Sequence, residues 1–496
     1  MIPSGEIPAG HAVREDRFSG GGEASAGAAE ASSPLPLAGA LRARHAALSL
    51  AQVSFLDFAA RVPECLRPES YPALLARDEV MESPVQPWPL FLAPGKRAEM
   101  ARAGVGVCAL LRDVPQRVFG NDPQRLAEYY GLDPAAALLI SSVLRQTGGM
   151  SHAVARGDFL ETASGFKCCE FNIAGNLGGW HIARVAAEQQ STPVVRRFLD
   201  EHGLTVTSDD PLRDLFSHLV DDALGRGLAS EGRLDLAFTC EPGKEPAEML
   251  RRYMDEQYRA VLAEKAPEVA GAVIACLGDA LAAGDGVLRL GGRRIHLVID
   301  MDPMTTYRPV FVALMANTAR VFNGPASAIV SDKLNLALLS ELQDSELFDA
   351  AERETIRAHV PWTRRVADDF VDYSGERAYL PDLLDAERAR LVLKAGLGWH
   401  GSGVHSGRLT APARWQELVR TALAERGWVI QERLEPLSYV FQMPGGGADL
   451  HDVVWGLFVF GSRFGGAWLR VNPSGRDDVV NCARGARVSI CFGVEQ

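Results

Sequence analysis

The chain has 496 residues, 47% hydrophobic and 23% charged, with 51 basic against 63 acidic side chains and a formal charge of -12. That length predicts roughly two to four domains of about 150 residues. The acidic balance excludes a general nucleic-acid or anionic-membrane binder and leaves room for a local basic pocket. No apolar run reaches the roughly 18–20 residues of a membrane span. The first residues lack the charged-then-apolar layout of a secretion signal, so a cytoplasmic protein is expected. Eight cysteines, none in a C-x-x-C arrangement, read as buried reduced thiols and not as a disulfide scaffold. Adjacent Cys168 and Cys169 point to opposite faces of a strand and are ill placed to share a metal.

In chain order, residues 1–40 are rich in Gly, Ala, Ser and Glu and carry too few large apolar groups to offset the entropy of ordering. A disordered tail is expected there, although a misplaced start codon would look the same. Residues 41–147 read as mainly helical, with apolar spacings of three and four over 42–58 and 122–130. The segment 148–190 changes character: a strand over 152–160, a turn at Thr162 to Gly165 and a second strand over 166–171 make a hairpin. A glycine loop at Gly175, Gly178 and Gly179 follows, then a helix over 180–190. Residues 191–330 read as an α/β unit. It has a helix over 211–224, a strand over 234–238 and a long helix over 246–282, with a break near Pro267. A hairpin turning at Gly291-Gly292, between strands at 287–290 and 295–299, precedes a helix over 308–321. In 331–496, helices at 333–349 and 413–426 alternate with strands at 391–394, 428–433, 453–460 and 466–471.

The strongest constellation is Arg156-Gly157-Asp158 on one strand of the hairpin and Glu170-Phe171-Asn172 on the next. Residues two apart share a face, and a turn near Ser164 sets Asp158 opposite Glu170 and Arg156 opposite Asn172. Two carboxylates and an amide oxygen form a hard oxygen site suited to Mg2+. An adjacent arginine fork suits the charge of a transferring phosphoryl group. A solvated ribbon with a salt bridge is the competing reading, weakened by Phe159, Leu160, Phe166 and Phe171, which predict a buried opposite face. Farther on, the apolar strand ending at Lys394 runs into Gly396, Gly398, Gly401, Ser402 and Gly403. There, backbone can approach an anion closely. Because Lys394 precedes the glycines, this is not a Walker A loop. Lys333 opens a helix that Ser331 or Asp332 would cap. The strand at 428–433 turns polar at Gln431 and Glu432, as an adenine and ribose edge or a solvent-facing edge strand would. The acidic pairs Asp209-Asp210 and Asp221-Asp222 read as solvated surface.

Taken together, these segments resemble the ATP-grasp ligases, and more narrowly the circularly permuted branch typified by glutathionylspermidine synthase. Here Glu170 and Asn172 precede Lys333 and Lys394, and an Arg-x-Asp pair precedes Glu-x-Asn, as that branch arranges them. The resemblance implies an α+β protein with a permuted ATP-grasp fold, two α+β lobes closing around ATP. The metal-binding hairpin would lie at 148–190, a pre-ATP-grasp-like α/β substrate domain at 191–330 and the lobes with their lid loop at 331–496. It implies Asp158, Glu170 and Asn172 as Mg2+ ligands and Arg156 as the catalytic group that stabilises the transferring phosphoryl. Lys333 and Lys394 would hold ATP phosphates, Gly396 to Gly403 would form the lid, and Gln431, Glu432 and Leu434 the adenine and ribose edge. Gly175, Asn176, Gly178 and Gly179 would form a loop near an acyl phosphate. The implied reaction is ATP-dependent amide formation between a small-molecule or peptide carboxylate and an amine, with a homodimer left open. Departures are Ala395 where the branch often has Pro, the bulky Trp399-His400 lid tip, and Asp300-Met301-Asp302 where relatives carry an arginine pair. Two other readings stay open: a non-catalytic nucleotide-binding protein, and a kinase-like enzyme that stops at a phosphorylated product.

Overall fold

In a computed structural model of the protein, the structure describes residues 39–71, 83–175, 177–240, 243, 245–301, 308–397 and 403–495. The expected tail lies outside these through residue 38. The architecture is mixed α+β, with one large antiparallel sheet, a parallel sheet and several smaller ones. The large sheet runs, in spatial order, Arg487–Ser489, Arg463–Pro473, Ala448–Phe460, Val154–Thr162 and Gly165–Asn172, and Tyr439–Gln442 pairs along Ala448–Phe460. The predicted hairpin is thus the end of a sheet whose centre comes from the far end of the chain.

One face of this sheet packs on the long helix Pro94–Arg117, where Gly104 lies against Leu457 and Val459. That contact buries the odd-numbered side chains of Val154–Thr162, such as Ala155 and Phe159. Alternation then turns Arg156 and Asp158 to the other face. Phe159 and Phe171 meet edge to face at 6.2 Å beneath the hairpin.

The parallel sheet has the order Arg320–Phe322, Leu297–Asp300, Leu236–Cys240, Val273–Leu277. A third sheet, antiparallel, has the order Thr363–Arg365, Trp428–Glu432, Leu391–Ala395, Val404–Ser406. A small sheet joins distant segments: Leu90–Leu92 pairs with Cys491–Val494, which pairs with Val206–Ser208.

Several expected elements differ. The helix expected over 246–282 is Glu248–Lys265. Pro267 prevents its continuation, and Val273–Leu277, which opens on two β-branched residues, pairs with Leu236–Cys240 as the edge strand of the parallel sheet. The Gly291-Gly292 turn exists, but its return strand is Arg293–Arg294, while Leu297–Asp300 enters the parallel sheet. The helix expected over 308–321 stops at Met315, because Arg320–Phe322 pairs with Leu297–Asp300. The one expected over 333–349 is Leu334–Glu341, and a separate helix, Ala350–His359, starts at a capping box made by Asp349 and Glu352. The helix over 42–58 is split at Ser49, whose hydroxyl accepts from Gln52 N at 2.9 Å and caps Leu50–Arg61. All eight cysteines are free thiols.

Candidate active site

The hairpin register is the expected one where it matters: Arg156 lies opposite Asn172 and Asp158 opposite Glu170. Just beyond Asp158 the pairing slips, so that Phe159 faces Cys168 and Cys169 is the extra, bulged residue. The carbonyl oxygen of Cys169 accepts a hydrogen bond from Lys394 Nζ at 3.0 Å. The bulge therefore ties the hairpin to the strand Leu391–Ala395, a connection that unbroken alternation did not foretell.

Lys394 also donates to Gln431 Oε1 at 2.6 Å, and Gln431 Nε2 donates to Thr363 Oγ1 at 3.1 Å. Gln431 thus holds the lysine with its side chain. Glu432 Oε1 accepts from Trp362 N at 2.9 Å, which fixes the end of the same strand. Lys333 stands at the start of Leu334–Glu341, its Nζ 3.1 Å from Glu170 Oε1. Ser331 explains the closeness: its hydroxyl accepts from Ile173 N at 2.9 Å and donates to Ile173 O at 3.0 Å, tying the Lys333 segment to the end of Gly165–Asn172. Lys333 N in turn donates to Gly396 O at 3.1 Å, where the loop after Lys394 begins, and Ala395 N donates to Gly403 O at 2.9 Å, where it ends.

Glu170, Lys394, Gln431 and Glu432 open on a cavity of about 290 Å³ whose wall also includes Asp158, Leu434 and Arg470, with Leu160, Val392 and Val454 as an apolar side. Asp158 Oδ1 receives Arg156 Nε at 3.1 Å and lies 2.7 Å from Arg470 Nη2. Burial alone would raise the Asp158 pKa, but Arg156 and Arg470 outweigh it and hold the carboxyl below its ordinary range. Burial lowers the Lys394 pKa, opposed by Glu170 and reinforced by Lys333. Close to Asp158 and Glu170 four cations, Arg156, Arg470, Lys333 and Lys394, stand against those two carboxylates, so this end of the site is locally positive, while Glu432, Glu435, Asp452, Asp477 and Asp478 make the rest of the cavity wall acidic.

The glycine loop reaches the same centre. Arg156 Nη1 donates to Gly178 O at 2.9 Å, and Gly175 rests on the carbonyl oxygen of Asp300, where a Cβ would stand 2.3 Å away. Asp300 itself is buried at the end of its strand and accepts from Thr239 Oγ1 at 3.0 Å. Asn176, Gly398, Trp399, His400, Gly401, Ser402 and Asp302 lie outside the described residues. The acidic pairs serve structure: Asp209 binds Arg97, Asp210 caps Pro211–Gly225, Asp221 binds Lys265 and Asp222 binds Arg320.

Three residues were missed by sequence reasoning: Arg470, Trp468 and Gly456. Trp468 and Arg470 share a face of one strand, which alternation alone reveals, but only strand pairing brings them beside Arg156. For Mg2+ the donor set fits in kind, since the hard oxygen ligands Asp158 and Glu170 pair across adjacent strands in the cavity wall, with Asn172 two residues beyond Glu170 on its strand. Among the described residues, no larger group of three or more His, Cys, Asp or Glu is arranged to hold a metal. Nor is any helix among them long and apolar enough to cross a membrane.

No family model matches the chain, and no curated protein does. Among solved structures, a glutathione synthetase-like effector from Globodera pallida in its apo form is similar over 92% of this chain and 98% of its own, with a TM-score of 0.50 and 12% sequence identity. A protein from Methylobacillus flagellatus KT, provisionally assigned as a gamma-glutamylcysteine synthetase, aligns over 80% of this chain and 87% of its own, with a TM-score of 0.36 and 10% identity. The likeness is one of fold alone, and it rests on the first structure.

Proposed function

We propose that the chain is an ATP-dependent carboxylate–amine ligase of the permuted ATP-grasp kind, with ATP in the cavity between the large sheet and the Leu391–Ala395 sheet. The observation that carries this reading is the convergence of Lys333 and Lys394 on the Asp158/Glu170 hairpin, 3.1 Å from Glu170 and 3.0 Å from Cys169 O. The shared fold of a glutathione synthetase-like protein supports it. In this reading Lys333 and Lys394 hold the phosphates as point charges. Leu160, Val392 and Val454 supply an apolar wall for the base, and the strand end at Gln431, Glu432 and Leu434 supplies polar edges.

The substrate carboxylate attacks the γ-phosphorus in line. The bond from that phosphorus to the β–γ bridging oxygen breaks, and ADP departs with the electron pair. An amine nitrogen then attacks the acyl carbon, phosphate leaves with the former carboxylate oxygen, and the nitrogen loses a proton to give the amide. Asp158, Glu170 and Asn172 would hold Mg2+, which when bound neutralises phosphate charge. Arg156 stabilises charge on the transferring group, and its bond to Gly178 O fixes the loop whose backbone N–H groups face the acyl phosphate. The Gly396 to Gly403 loop would exclude water, which hydrolyses acyl phosphates.

The test is an ADP-release screen over panels of carboxylates and amines, with products read by mass spectrometry. A condensed product whose formation needs both partners supports the ligase. ADP release without any amine, yielding a phosphorylated product, identifies a kinase, and nucleotide binding without turnover on any pair rejects the enzymatic reading.

A further inference from the structure

We propose that Trp468 is the positioning residue of this centre. Its indole sets the spacing of the Arg156 and Arg470 guanidiniums and seats the Gly178–Gly179 backbone, so that both arginines close on one phosphate group. The inference rests on the ligase reading for its catalytic meaning, but its geometry stands alone. Across three neighbouring strands, Asp158, Gly456 and Trp468 occupy one level, since Gly456 pairs with Asp158 on one side and Trp468 on the other. Gly456 contributes no side chain to the shared face, and Arg156 lies across the gap. A Cβ at position 456 would stand 3.1 Å from Arg156 Cδ and 3.4 Å from its Nε. Through this notch the Arg156 guanidinium carbon comes within 4.8 Å of the Trp468 ring centroid, and that of Arg470 within 4.9 Å.

Two like charges beside one ring repel, and what holds them is the π face together with Asp158 Oδ1, which both reach. The same ring carries the loop. A Cβ on Gly179 would stand 2.7 Å from Trp468 Cδ2, so only bare backbone fits there, while Gly178 lies in ordinary contact with the ring, its Cβ position 3.5 Å from Cη2. With φ at +96°, Gly179 also adopts backbone that other residues rarely do. Finally, Arg470 Nε is a buried donor without a hydrogen-bond acceptor among the described residues, on a side chain in the cavity wall. A buried donor left unsatisfied is costly, and a tetrahedral anion would supply its acceptor.

The experiment measures binding of inorganic phosphate and of MgADP separately by calorimetry to wild type, W468F and W468L, alongside kcat and KM. W468L should weaken phosphate by about tenfold or more and lower kcat similarly, as loss of a buried cation–π contact implies. MgADP affinity, set by the lysines, should change less than about twofold. W468F, which keeps a flat ring, should recover to within about threefold of wild type. If W468L does not fold, W468M fills the volume without a flat face and carries the same expectation. Wild-type phosphate affinity in both aliphatic variants, or no recovery in W468F, overturns the positioning role. If phosphate binding follows the expected order but no substrate pair releases ADP, the ligase reading fails and the positioning role stands. If turnover is found and W468L matches wild type in kcat and phosphate affinity, the reverse holds.

Discussion

At the scale of single residues, the centre works by sharing charge. Glu170 pairs with Lys333 while its side chain keeps 23% exposure, so removing its charge disturbs packing little. E170Q should therefore lower ADP release by about a hundredfold or more, with a melting temperature close to wild type, as loss of a metal-holding carboxylate implies; turnover within a few-fold of wild type would refute the metal role. Asp158 differs, because it is buried between two arginines. Truncating it should also cost about 3–5 kcal/mol of stability, since both cations lose their partner. K394M should weaken MgADP by about tenfold or more in calorimetry, leaving Gln431 Oε1 without its donor. Asp332 gives a pH handle. Burial raises its pKa to about 6, while Oδ1 still accepts from Leu334 N at 2.9 Å. A carboxyl whose folded pKa is raised is most favourable to folding when protonated, and that advantage is lost as pH rises through 6. D332N keeps the acceptor and removes the charge. It should stabilise more at pH 8 than at pH 5, by about 1 kcal/mol, in denaturant titrations at the two pH values.

At the scale of elements, the site depends on joints between strands more than on any one strand. Ser331 is such a joint, fastening the segment that carries Lys333 to the hairpin by two hydrogen bonds. S331A should cost about 1–2 kcal/mol and weaken MgADP, as Lys333 loses its register with Glu170. Unchanged nucleotide affinity would show that Lys333 is held otherwise. A useful contrast is Asp349, which caps Ala350–His359. D349A should lose about 1 kcal/mol without altering nucleotide binding.

At the scale of the whole molecule, the last strand fastens together segments far apart in the sequence. Cys491–Val494 lies between Leu90–Leu92 and Val206–Ser208, and Phe492 is fully buried, 5.9 Å from Phe91 between ring centroids. F492A should destabilise by about 3–5 kcal/mol. Hydrogen exchange should show lost protection over Leu90–Leu92 and Val206–Ser208 together, because their ladders share this strand. Protection lost only at the mutated strand would contradict that coupling.

Local chemistry made the hairpin, its turn and the facing of Asp158 and Glu170 legible, because alternation and a glycine-bearing turn are short-range consequences of the backbone. Helices with clear starts, such as Pro123–Tyr130 behind Asp122 and Pro412–Ala424, were legible for the same reason. The strand at 273–277 was not, and the strand at 295–299 was legible without its parallel partners, because which neighbour pairs with an apolar stretch is decided away from it in sequence. The bulge at Cys169, the notch at Gly456 and the meeting of Arg156 with Arg470 belong to tertiary structure alone. They arise where strands far apart in sequence lie side by side, and hydrogen bonding across the sheet, not spacing along the chain, decides which side chains share a face.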